Sequence, residues 1–245
     1  MLYDPRLRNT KPTDGKYDFD YNSPCVWVVY PPGCGGDLWG AIIGQHYPRT
    51  GNHFLGIDQT GRVILDTIDH KWLNVKMNKR ETVELDQEYL NCINQGYRSH
   101  NFPHSMSGQC IIVNHFWQST LINQIIDRFP NAKIIRIMPR TDFEIKLIEW
   151  LSQWKNFGTL MDFDSMVDDK IQRYAVKDLD FKHPRLLDLQ YGSMWSESGF
   201  EQTYDQVTQH LGLPYKLVRY DLIKFWFECQ HGTIKPHFAK LFDNY

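Results

Sequence analysis

Cys25-Val-Trp-Val-Val-Tyr30 runs directly into Pro31-Pro-Gly-Cys-Gly-Gly-Asp-Leu38. An unbroken apolar run suits a strand buried on both faces, and the prolines and glycines that follow end it. Leu38, Trp39, Ile42 and Ile43 then recur at the spacing of one helix face. Strand, tight turn and helix together open a βαβ unit, and such units build parallel sheets.

The pattern repeats down the chain. Cys110-Ile-Ile-Val-Asn114 predicts a second buried strand, and Trp117, Leu121, Ile122, Ile125, Ile126 and Phe129 form one helical stripe that Pro130-Asn131 ends. Ala132–Met138 predicts a third strand. Thr141-x-x-Glu144 is a capping box opening a helix to about Trp154. Arg185–Gln190 predicts a fourth strand. Ser198-x-x-Glu201 reads as another capping box, with Gly212 and Pro214 closing that helix. Two further strands, His53–Asp58 and Arg62–Asp66, flank a Thr60-Gly61 turn, and residues 82–95, 163–173 and the last thirty read as helical. The expectation is a three-layer α/β/α fold with a mainly parallel central sheet. Residues 1–23, without periodicity, read as an arm on a single domain spanning 24–245.

Composition narrows the function classes. The chain has 245 residues, 42% apolar, with 27 Lys plus Arg against 29 Asp plus Glu. That is too apolar for disorder and too evenly charged for bulk electrostatic binding of nucleic acid. No apolar run reaches the ~20 residues of a membrane span. Cys25, Cys34, Cys92, Cys110 and Cys229 are odd in number and contain no C-x-x-C, so neither a disulfide framework nor a zinc cluster is indicated. With no apolar leader in Met1–Tyr21, the expected setting is reducing and cytoplasmic.

Parallel sheets bind ligands at the carboxyl ends of their strands, here Tyr30–Gly36, Asn114–His115, Met138–Arg140 and Gln190–Tyr191. Gly33, Cys34, Gly35, Gly36, Asp37 and Leu38 form a glycine-rich turn that can offer backbone N–H groups to an anion. It is no Walker A loop, because the lysine and Ser/Thr are missing, and it equally suits an ordinary βα turn. His115, just after the second strand, can take a proton from a hydroxyl; packing or helix capping would also account for it. Arg140, after the third strand, suits bidentate phosphate binding or a surface pair with Asp142. Lys146 reads first as a solvated helix face and second as a phosphate ligand. His100, His104 and Ser105 lie in a polar loop, where Pro103 opposes the helix a metal pair would need.

In order, these pieces resemble the sulfotransferase family, whose P-loop-like fold uses 3′-phosphoadenosine 5′-phosphosulfate (PAPS). Val28-Val-Tyr-Pro-Pro-Gly-Cys-Gly-Gly36 is similar to its 5′-phosphosulfate loop, and Ile112-Val-Asn-His-Phe116 to the strand ending in its catalytic histidine. Phe129-Pro-Asn-Ala-Lys-Ile-Ile-Arg-Ile-Met-Pro-Arg140 resembles the strand ending in its 3′-phosphate arginine. Leu186–Tyr191 and His210-Leu-Gly-Leu-Pro214 resemble its late strand and closing helix. The resemblance implies a sulfuryl transferase yielding 3′-phosphoadenosine 5′-phosphate, with no metal. Its acceptor would be a hydroxyl or amine of a glycan or small molecule. It further implies His115 as base, residues 33–38 and Lys146 as cofactor ligands, and Arg140 on the 3′-phosphate. The family's loop lysine is replaced here by Pro32 or Gly33, leaving Lys133 or Lys155 to substitute, and Ile148 stands where its phosphate-binding serine falls. A non-catalytic or nucleotide-binding member of the P-loop fold is the alternative.

Overall fold

A computed structural model describes residues 21–22, 24–31, 33–44, 46, 85, 110–114, 117–148 and 180–214, and the backbone of 53–57 and 63–67. Its central sheet contains β1 (Cys25–Val29), β4 (Cys110–Asn114), β5 (Ala132–Met138) and β6 (Leu186–Gln190). The spatial order is β4-β1-β5-β6, and every pair is parallel. β2 (His53–Ile57) and β3 (Val63–Thr67) form a separate antiparallel pair.

Alternation along β1 divides the core in two. Val26 and Val28 face α1 (Gly36–Gly44), the helical turns at 142–148 (α3) and α4 (Glu197–Leu211). Cys25, Trp27 and Val29 face α2 (Ser119–Arg128). Helices therefore cover both faces, and the fold is the three-layer α/β/α arrangement expected from the βαβ pattern. Trp27, Trp39 and Trp195 are all but inaccessible. Burying a large apolar side chain contributes about 1.5–3 kcal/mol, which explains why such wide residues sit against the sheet.

The helix boundaries follow local chemistry. Thr141 Oγ1 accepts from the Glu144 amide at 3.2 Å while a Glu144 carboxylate oxygen accepts from the Thr141 amide at 3.1 Å, the reciprocal pair of a capping box. Arg185 holds the far end of α2, donating to the carbonyls of Ile126, Phe129 and Pro130. Those are acceptors a helix C-terminus leaves open. Gly212, at φ 70°, ends α4.

One boundary corrects the sequence reading. The cap of α4 is Ser196, whose hydroxyl accepts from the Gly199 amide at 3.1 Å, and not Ser198, which is exposed with Glu201. The 3₁₀ turn Gly192–Trp195 buries Met194 and Trp195, so the helix must start directly behind it for Phe200 to reach the core. The expected helices at 163–173 and in the last thirty residues lie outside the described residues, as does 82–95 apart from the buried Leu85.

Candidate functional site

Where two neighbouring strands send their connections to opposite faces, a crevice opens at their carboxyl ends. β1 leads to α1 on one face, and adjacent β4 is followed by α2 on the other. The crevice therefore lies between the loop after Tyr30 and the end of β4 at Asn114. Tyr30 closes its floor, donating its amide to the Asn114 carbonyl at 3.0 Å.

The loop is built for backbone display. Gly33 at φ 94° and Gly35 at φ 72° both take the left-handed conformation, which disfavours side chains by about 1–2 kcal/mol per residue. The Cys34 amide turns back to the Pro31 carbonyl at 3.1 Å. Gly36 is required for another reason: a Cβ there would stand 2.0 Å from two ring carbons of Tyr30. The first helical bond runs from the Trp39 amide to the Gly35 carbonyl at 3.2 Å. Ahead of it, the Gly36 and Leu38 amides have no acceptor among the described residues. Unsatisfied amides at a helix start, reached through a left-handed turn, form a concavity suited to an anion.

Among the described side chains of residues 33–38, none contributes there. The Leu38 side chain is in the core, and Cys34 is fully buried. Burial, and after it the nearby Glu144 carboxylate, push the Cys34 thiol well above its usual range, so it is no nucleophile. Burial also raises the Tyr191 phenol, with Cys34 and Glu144 adding to the effect. Of Asp37 the structure describes the backbone, which lies in the first turn of α1.

At the end of β5, Arg140 is exposed, and its guanidinium has no ion pair among the described residues. Its backbone is held firmly: the amides of Arg140 and Thr141 both donate to one oxygen of Glu144. The other Glu144 oxygen accepts from the Gln190 side chain at 3.1 Å. Lys146 shares the more open stripe of α3 with Asp142, and no described residue links it to Arg140. Ile148 instead packs under the loop, its Cγ2 3.4 Å from where a Gly33 Cβ would be. His115 lies outside the described residues, although Asn114 before it marks the strand's carboxyl end.

Lys133 cannot supply the charge that the loop lacks. It stands near the opposite end of β5, and its Nζ donates to the His210 carbonyl at 2.6 Å. Lys155 lies outside the described residues.

Sequence reasoning missed two charged groups. Arg136 is completely buried on the α2 face, with Nε 2.5 Å and Nη2 3.0 Å from the two Asp188 oxygens. Register places Asn114, Val29, Arg136 and Asp188 in one row across four strands. The available signal was a charge inside an otherwise apolar strand, together with Asp188 in the next one. Glu144 was read as a cap, yet it is wholly buried. No group of three His, Cys, Asp or Glu able to hold a metal occurs among the described residues, and none of their helices is long and apolar enough to cross a membrane.

No family model and no curated protein sequence matches the chain. Among solved structures, it is similar to a sulfotransferase from Alicyclobacillus acidocaldarius, with TM-score 0.45 and 12% identity over 89% of this chain and 94% of that one. It is also similar to the sulfotransferase domain from the curacin biosynthetic pathway, with TM-score 0.38 and 10% identity over 79% and 75% of the respective chains.

Proposed function

We propose that the chain binds PAPS at the carboxyl edge of its sheet and transfers the sulfuryl group to a hydroxyl or amine of a small-molecule or glycan acceptor. The observation that carries this reading is the loop of Gly33–Leu38, whose Gly36 and Leu38 amides have no acceptor among the described residues, beside a topological crevice. The residues present fit the cosubstrate. The amides of Gly36 and Leu38 would hold its 5′ anionic end, and Arg140, which has no ion pair among the described residues, would hold a 3′-phosphate. PAPS supplies the sulfuryl group. His115, one residue beyond the buried end of β4, would take the acceptor's proton as the acceptor oxygen or nitrogen bonds to sulfur and the bridging S–O bond breaks. Fixed N–H donors then meet the negative charge left on the phosphate oxygen. Domain 24–245 with its arm, the cytoplasmic setting and the roles of Cys34, Asp37 and Lys146 belong to the same proposal, Cys34 and Asp37 entering through their backbone.

A second reading is a non-catalytic or nucleotide-binding member of the P-loop fold. One observation favours it: the loop has no lysine, and Lys133 is committed to the end of α4. Losing one oxyanion donor slows an enzyme about 10²–10³-fold, so turnover should be slow in any case.

Calorimetric titration separates the two. Under the transferase reading, 3′-phosphoadenosine 5′-phosphate binds in preference to ADP and Mg-ATP. Arg140→Ala then weakens it about tenfold to a hundredfold, the loss of charge-assisted hydrogen bonds. His115→Ala keeps binding and abolishes sulfuryl transfer. Preference for Mg-ATP, or no nucleotide binding, overturns the transferase reading.

A further inference from the structure

We propose that Glu144 is a positioning residue that sets the stance of Arg140 and thereby the site's discrimination for a ligand bearing a 3′-phosphate. The inference rests on the reading of the site given above. In an ordinary capping box the glutamate is a surface group serving the amide of the cap residue. Glu144 has 0% exposure. One of its oxygens gathers the amides of both Arg140 and Thr141, and the other accepts the Gln190 side chain from the end of β6. It also lies close enough to the loop after β1 to act on Cys34. A single carboxylate thus joins the ends of β5 and β6 beneath the loop that follows β1.

Two consequences follow. The carboxylate already occupies the amides of Arg140 and Thr141, so neither of these is open to an external anion. A phosphate arriving at the end of β5 can instead meet the exposed Arg140 guanidinium, which has no ion pair among the described residues. The backbone from which that guanidinium springs is held by Glu144, so any displacement of the carboxylate moves the cation offered to the phosphate at the end of β5. Reach matters here more than charge. Glu144→Gln keeps an oxygen for the two amides and an amide that can pair with the Gln190 oxygen. Glu144→Asp keeps the charge but withdraws the carboxylate by one methylene.

The test is the ratio of affinities for 3′-phosphoadenosine 5′-phosphate and adenosine 5′-phosphate, measured by calorimetry on the full chain. Urea melts run alongside confirm folding. Glu144→Ala and Glu144→Asp should lower the ratio by about tenfold or more, as expected when a charged hydrogen bond is misplaced, leaving adenosine 5′-phosphate nearly unaffected. Glu144→Gln should keep the ratio. If Glu144→Ala does not fold, the Asp and Gln variants decide alone. An unchanged ratio in Glu144→Asp, equal weakening of both nucleotides, or a ratio kept by Asp and lost by Gln overturns the proposal while the site reading stands. Wild-type protein that shows no preference for the bisphosphate overturns both.

Discussion

Gly36→Ala is the sharpest perturbation of the loop. The added methyl would stand 2.0 Å from Cδ1 and Cε1 of Tyr30 and 2.5 Å from its Cγ. Carbon atoms settle at ~3.5–4.0 Å, so the overlap is about 1.5 Å. The ring has little room to yield: Tyr30 is 2% exposed, and its amide is tied to Asn114. Overpacking typically destabilises by about 1–3 kcal/mol, and an overlap this large belongs at the upper end. Alanine in a helix returns about 0.5–1 kcal/mol relative to glycine. The net expectation is a loss of about 2 kcal/mol. With a urea dependence of about 2 kcal/mol per M, the midpoint should fall by about 1 M. Because Tyr30 carries the loop, bisphosphate binding should weaken as well. Gly199→Ala is the matched control, its Cβ 2.0 Å from the Ser193 carbonyl oxygen at the start of α4; it should destabilise without weakening the ligand once folded. A Gly36→Ala midpoint within about 0.2 M of wild type would refute the packing account, and unchanged binding would refute the role assigned to the loop.

Other predictions test charge and burial. Asp188→Ala removes the bidentate carboxylate partner of the buried Arg136 guanidinium and should cost about 3–5 kcal/mol in urea unfolding. Lys182→Ala, whose side chain is 72% exposed although it lies 3.3 Å from the same aspartate, should stay within about 0.5 kcal/mol; equal losses would contradict the burial argument. Burial, and after it the charge of Lys133, hold the His210 imidazole below its usual value of 6.5. The folded state therefore resists protonation there. That stability is present above pH ~6.5 and is lost as pH falls through the folded value. Urea midpoints should drop less between about pH 7.5 and 5.5 in His210→Gln than in wild type; parallel curves would exclude the effect. Burial pushes Cys25 up to about 12 and Cys34 well above its usual range. Peptide mapping after alkylation at mild alkaline pH should find both unlabelled until the chain is unfolded, and rapid native labelling of Cys34 would show the loop open.

Much of the sheet was legible in the chain. β5 matches its expected span of Ala132–Met138 to the residue, because Pro130-Asn131 and Pro139 bound a mostly apolar run and leave no other span. The start of α3 was legible too, since a capping box is a local contract between Thr141 and Glu144. The start of α4 was not. Ser196 and Ser198 are equally good caps in isolation, and burial of Trp195 and Phe200 chose between them. Of the candidate site, the glycine loop and Arg140 could be found by their place after strands. What the loop lacks could be read as well, but not whether Lys133 makes it good, which depended on where β5 carries that side chain.

The sequence by itself determined the strands of the described sheet and their parallel βαβ plan, and so the sheet's carboxyl edge, because hydrophobic period, glycine and proline act over a few residues. Only the tertiary structure decided that α1 and α2 lie on opposite faces and so open the crevice, that Arg136 answers Asp188, and that Glu144 is buried between strand ends. Those facts join residues tens of positions apart. The free energy that selects them comes from desolvation and packing across the sheet, which no local pattern encodes.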